Sequence, residues 1–314
     1  MPVVKAARPN EIFGKENWSK LKSVSNVYGI WLVVHCWLVI VASMAIAIWL
    51  NHPIAYLIAI IIVGGRQLGL AILMHDAAHG LLHNNRKINN FLGQWLTGAP
   101  TGSDVYAYRT YHLTHHKFTQ QPEDPDLGLS KPFPTSKASM RRKILRDLTG
   151  QTFFKQRGNQ LVKLFKNIAP NNNEANIFNS AAFIRFLGAH LVLLLLSFVS
   201  GFGVVPFLIW LVALATVFQL FLRVRNIAEH ACTSTGDDPF SHARTTQANW
   251  LARATVAPYW VNFHSEHHLF MGLPCYNLPK AHKKLIALGY APRMTLAPSY
   301  WSVMKRVTSS EAIS

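Results

Sequence analysis

The chain has 314 residues, half of them hydrophobic and only 14% charged, against about 25% charged residues in soluble domains. Its formal charge of +17 raises nucleic acid as a partner, but no nucleic-acid-binding motif accompanies the charge, so no nucleic acid is expected. Three cysteines, Cys36, Cys232 and Cys275, with no CxxC pair, exclude a disulfide scaffold and a zinc finger.

The N-terminal segment is polar and too long for the charged region of a secretory signal, so no cleavage is expected. An apolar run over 29–50 comes next, then a second over 53–74 that contains Arg66 and Gln67. The stretch 131–173 is basic and Asn-rich near its end. It reads as an amphipathic surface segment or a flexible connector. A third apolar run covers 181–200 and a fourth 204–222. Each run approaches the roughly 20 residues a helix needs to cross a bilayer. Asn51, His52 and Pro53 separate the first two runs, and Gly201 to Gly203 the last two. Links this short force two helical hairpins, so the chain starts, pauses and ends on one side of the membrane.

Of the 31 Lys and Arg residues, 29 lie before, between or after the hairpins and none in the hairpin turns. The positive-inside rule then puts both termini and the inter-hairpin segment in the cytoplasm. Anionic lipid headgroups give the charge a second use. Arg66 allows two arrangements. Either it faces the bundle interior near a polar substrate group, or the span ends there and the helix projects into the cytoplasm, carrying His75 roughly 13 Å further. Arg223, with His230 seven residues on, parallels the projecting helix, which is the arrangement favoured.

Fifteen histidines are the unusual entry in the composition. His35, His52 and His190 lie in or between the apolar runs. Ten others cluster beyond their ends: His75-Asp76-Ala77-Ala78-His79 with His83, His112-Leu113-Thr114-His115-His116, the Asn226 to His230 segment, and His264-Ser265-Glu266-His267-His268. On a helix His75 and His79 stand one turn apart on one face and reach a common metal. In each HxxHH the i and i+3 histidines are expected to share a face, leaving the adjacent one, rotated by about 100°, for a neighbouring centre. Two HxxHH boxes, one HxxxH and a lone histidine supply nine imidazoles, about right for two ions. Imidazole suits Fe, Zn, Cu or Ni, so ligand type does not choose the metal. A non-catalytic metal transporter is the distant alternative, but transporters place ligands near the bilayer midplane.

HDAAHG (75–80), YHLTHHKFTQQPEDPD (111–126), RNIAEH (225–230), RTT (244–246) and NFHSEHHLFMGLPCYNLPKAH (262–282) together resemble the membrane fatty acid desaturase/hydroxylase superfamily, over most of the chain. The resemblance implies a single-domain (1–314) all-α integral membrane protein. Its four transmembrane helices would form two hairpins under a cytoplasmic helical metal-binding cap. It also implies two iron ions held by His75, His79, His112, His115, His116, His230, His264, His267 and His268, with Asn226 reaching metal through water and O2 as co-substrate. His83, Asp76, Glu229 and Glu266 are candidates for an outer layer that fixes the imidazoles, as are Asp124 and Asp126 unless these only shape a turn.

The reaction expected from the resemblance is desaturation of a fatty acyl chain or lipid. Hydroxylation or ketolation of a carotenoid or other lipid-like substrate at the same site is the alternative. A smaller amino-acid-derived substrate is also in view, and recognition of a polar head falls mostly on 131–173. No HPGG-type haem module and no GxGxxG motif is present, so electrons must come from a separate ferredoxin, rubredoxin or cytochrome-type donor with its reductase. The basic face suits an acidic donor, although topology alone would place the same charges there. The expected location is a bacterial inner membrane.

Overall fold

The computed structural model describes residues 7–165, 180–236 and 238–309. Four helical segments are long and apolar enough to cross a membrane, and the chain is a helical membrane protein. Helix α1 (Asn26–Leu50) and helix α2 (Pro53–His79) form the first hairpin. Asn51 closes it in the left-handed conformation (φ 45°, ψ 47°), His52 Nδ1 accepts from the Ile54 N–H, and Pro53 opens the next helix. Each residue does what its chemistry favours at a helix end or start.

α2 does not stop at 74. It runs unbroken through Arg66 to His79 and ends at Gly80 (φ 81°). Arg66 is buried, and its Nη2 donates to the carbonyls of Arg253 and Ala254, both at 3.0 Å. The guanidinium therefore satisfies the carbonyls ending a short helix, Trp250–Ala254, where α2 enters the cap. Gln67 Nε2 donates to the Trp210 carbonyl at 2.9 Å. From Val63 to Ala78 nearly every side chain of α2 is buried. Gly64 and Gly65 permit this: a Cβ at Gly64 would lie 2.3 Å from Val217 Cγ2, and one at Gly65 2.2 Å from the Ala254 carbonyl oxygen.

After a π-helical turn at Leu92–Gly98 comes helix α3 (Val105–Phe118). Asp104 caps it from Oδ1 to the N–H groups of Tyr106 and Ala107. Helices α4 (Lys137–Leu148) and α5 (Gln151–Phe165) occupy much of the stretch left open between surface segment and connector. Residues 166–173 of that stretch lie outside the described residues. The second hairpin is helix α6 (Ser180–Val199) followed by helices α7 (Val205–Ala215) and α8 (Val217–His230). The fourth apolar run is thus broken at Thr216 (φ −118°, ψ −88°) and resumes at Val217.

The remainder closes the cap. Strands β1 (Arg244–Thr246) and β2 (Thr295–Ala297) pair in parallel; helix α9 (His264–Leu269) packs beside β1, and helix α10 (Leu278–Ala287) packs against α9. Buried Arg244 ties β1 to the end of α8, donating to the carbonyls of Ala228 (3.0 Å) and Ala231 (2.7 Å).

Candidate metal centre

The end of α2 carries His75 and His79. α3 carries His112, His115 and His116, the end of α8 carries His230, and α9 carries His264, His267 and His268. All nine imidazoles come together, in two groups. His75, His79, His112, His116 and His267 form one; His115, His230, His264 and His268 form the other. Each HxxHH is divided, but not as the spacing suggested. The i and i+4 histidines share a group in both boxes, and the i+3 histidine crosses to the other group. The reason is azimuth: four residues advance a helix by about 400°, a 40° offset, whereas three leave a 60° offset on the other side.

Within each group the ligand nitrogens lie within 4.8 Å of one another. In the first, His116 Nε2 is 2.9 Å from both His112 Nε2 and His267 Nε2, and the latter two are 3.4 Å apart. In the second, His264 Nε2 is 2.9 Å from His230 Nε2 and 3.1 Å from His268 Nε2, while His115 Nε2 is 3.2 and 3.3 Å from those two. Ligands about 2.1 Å from a shared ion are about 3.0 Å apart at right angles and about 3.4 Å apart at tetrahedral angles. The observed edges fit that range. The Nε2 atoms of His75 and His79 are buried with no hydrogen-bond partner, a costly arrangement without a cation for their lone pairs. These residues can hold metal.

Several of the Nδ1 atoms lie near outward oxygen atoms, while His116 Nδ1 is buried with no hydrogen-bond partner. His115 Nδ1 is 2.7 Å from Asp124 Oδ1, His230 Nδ1 3.1 Å from the His242 carbonyl, and His268 Nδ1 3.2 Å from Thr119 Oγ1. His264 Nδ1 lies 3.3 Å from Glu229 Oε1 and His75 Nδ1 3.4 Å from Asp76 Oδ1. A proton on Nδ1 leaves the Nε2 lone pair free to bind metal. Burial, then the charge of neighbouring imidazoles, holds His112, His116, His264, His267 and His268 well below the ordinary imidazole range. They are therefore neutral at pH 7, the form that binds metal. Burial also acts to lower His115, but its hydrogen bond to Asp124 and the carboxylates of Asp126 and Asp124 raise it on balance.

The other candidates lie outside the two groups. Asn226 lines a small pocket with His115, His230 and His264, and its Oδ1 accepts from Arg225 at 3.0 Å. His83 falls beyond the end of α2, where its Nδ1 accepts from the Asn85 N–H at 2.9 Å. Fully buried Glu266 accepts from Thr245 Oγ1 (2.5 Å) and faces His282 Nδ1 (2.6 Å) rather than a clustered imidazole. Asp126 accepts from the Tyr111 hydroxyl and lies 3.7 Å from His115 Nδ1. Thr119, His242 and His282 escaped the sequence reading. Thr119 sits one turn beyond His115 and was findable; a carbonyl or a partner reached only through the cap has no local spacing to betray it.

A cavity of about 290 Å³ opens beside His75. Leu68, Ile72, Phe218 and Leu222 give it an apolar wall, and Tyr108 and Asn226 border the imidazoles.

The chain matches the family profile "Fatty acid desaturase" over residues 49–299. It is 28% identical to dihydrorhizobitoxine desaturase of Bradyrhizobium elkanii over 262 residues, covering 80% of this chain and 72% of that protein. It is 25% identical to sn-1 oleoyl-lipid 12-desaturase of Picosynechococcus over 321 aligned positions, covering 95% and 84%. It is also 25% identical to zeaxanthin 4-ketolase of Chlamydomonas reinhardtii, over 85% of this chain and 52% of that protein.

Proposed function

Because the chain belongs to the fatty acid desaturase family, we propose that it is a membrane-bound diiron oxidoreductase that uses O2 to introduce a double bond into an acyl chain or lipid-like substrate. The observation that carries this reading is the convergence of nine imidazoles into groups of five and four at the ends of apolar helices. Two irons held there would supply the oxidising power that removes hydrogen from an unactivated C–H bond, which side chains lack.

The protein's own part is placement. His75, His79, His112, His116 and His267 would hold one iron, and His115, His230, His264 and His268 the other, with Asn226 reaching metal through water. Asp124, Glu229 and Asp76 keep Nδ1 protons outward and the rings oriented. The apolar wall of the cavity beside His75 lays the substrate chain against the site and excludes water. Whether the chain leaves with a double bond or an added oxygen turns on placement at the sub-ångström scale. Two desaturases among the relatives favour the double bond; a ketolase gives the second reading, oxygenation of a carotenoid or similar lipid. Both readings put the site and termini on the cytoplasmic side, consistent with the basic residues outside the hairpins. Electrons come from a separate protein donor.

The test is mass spectrometry of total lipids and pigments from cells expressing the chain with a ferredoxin and its reductase, against cells expressing His267→Ala. A product two hydrogens lighter than its parent, absent with His267→Ala although the variant still inserts in the membrane, is the expected result. A product one oxygen heavier moves the reaction to hydroxylation, and a ketone product to the second reading. Full activity in His267→Ala would remove it from the ligand set.

A further inference from the structure

The cavity beside His75 has a polar end that the redox chemistry does not use. There Thr101, Ser103, Gln156 and Arg157 replace the apolar wall. Arg157, on α5, is held in place. Its guanidinium carbon stacks 4.3 Å from the Phe186 ring centre and 5.4 Å from that of Phe153, and Nη1 donates to Gln160 Oε1 at 2.6 Å. It occupies the space above Gly102 (φ 83°), where a Cβ would lie 2.1 Å from Nη2. Any larger residue at 102 would evict it.

The other charged groups of this cavity are paired. Asp104 is bound by Arg185, Arg225 by Glu229 at 2.5 Å, and Asp126 by the Tyr111 hydroxyl. Arg157 has no carboxylate partner among the described residues, and its Nε is buried without any hydrogen-bond partner. Burial alone pulls the guanidinium down to about 10. A half-buried, oriented cation without a carboxylate partner is unfavourable unless a counter-charge arrives, and a guanidinium suits carboxylate and phosphate alike.

We propose that Arg157 anchors an anionic head group, carboxylate or phosphate, of a short-chain amphiphile whose tail lies along the apolar wall toward His75. The inference rests on the functional reading above and names its substrate class. A cavity of about 290 Å³ holds about ten water-sized groups at about 30 Å³ each. Arg157 and His75 border this same cavity, so the head and the reacting carbon are close along the chain. A neutral lipid would leave the cation unpaired.

Binding is measured on metal-stripped, detergent-solubilised protein by thermal unfolding against decanoate, decyl phosphate and methyl decanoate. Decanoate should stabilise the wild type, with its Kd raised about tenfold or more in Arg157→Gln. Methyl decanoate should bind both proteins equally, which also reports that the variant is folded. Arg157→Lys should fall between, since it keeps the charge and loses the fork. Preference for decyl phosphate over decanoate would assign the head as phosphate and support the anchor. Equal decanoate affinity in wild type and Arg157→Gln, or an equal loss for the ester, would overturn it. Anion binding without O2-dependent oxidation of any substrate would sink the functional reading and leave the anchor. Oxidation of neutral lipids without anion binding would do the reverse.

Discussion

Each imidazole of the centre has two nitrogens with separate tasks, and the protein spends different residues on each. The inward Nε2 atoms need proximity, which comes from helical spacing. The outward Nδ1 atoms need an acceptor, which comes from wherever the chain folds back. Asp124 shows what the second task is worth. Its Oδ1 accepts from His115, while Oδ2 takes the Gln120 N–H at 2.9 Å. Asp124→Asn should lower metal affinity by about tenfold, read as iron retained after dialysis, with insertion in the membrane unchanged. Eight of the nine imidazoles were legible in the sequence because HxxxH and HxxHH are local patterns; His230 stands alone and has no such spacing. The partition into five and four was not, because it depends on His267 meeting α3 across 151 positions. His83 misled for a related reason: its spacing continues the face of α2, but Gly80 ends the helix first.

At the scale of elements, α2 is both a membrane helix and a wall of the metal site. The four apolar runs and their hairpin turns were readable, since spanning length and turn chemistry are written in consecutive residues. One feature was not: the interruption at Thr216 falls inside the fourth apolar run, with no Gly or Pro beside it. The continuation of α2 past Arg66, the arrangement favoured from the sequence, is supported by cap carbonyls distant in sequence. That seam depends on close approach, so Gly65→Ala should push a methyl into the Ala254 carbonyl. Overpacking of this kind costs about 1–3 kcal/mol. Thermal unfolding in detergent should show it, together with a loss of activity larger than that of a mild substitution elsewhere on α2, because the shift is transmitted to His75.

For the whole molecule, the two groups of histidines act as clamps. They join α2, α3, α8 and α9 where these segments converge. Metal bound to the folded form alone stabilises it by mass action. Stripping the protein with a strong chelator should lower its unfolding temperature by on the order of 5–10 °C, and restoring iron should recover it. An unchanged unfolding temperature would mean that the cap is rigid without metal.

The order in which the ligands leave the ribosome sets a constraint of its own. One group waits for His267 and the other for His264 and His268, all of which follow both hairpins in the chain. A nascent chain that has already inserted both hairpins holds four of five ligands for one ion and two of four for the other. Neither group is complete until α9 has been made. A product truncated before His264 would leave a membrane-inserted chain in which neither group of histidines is whole.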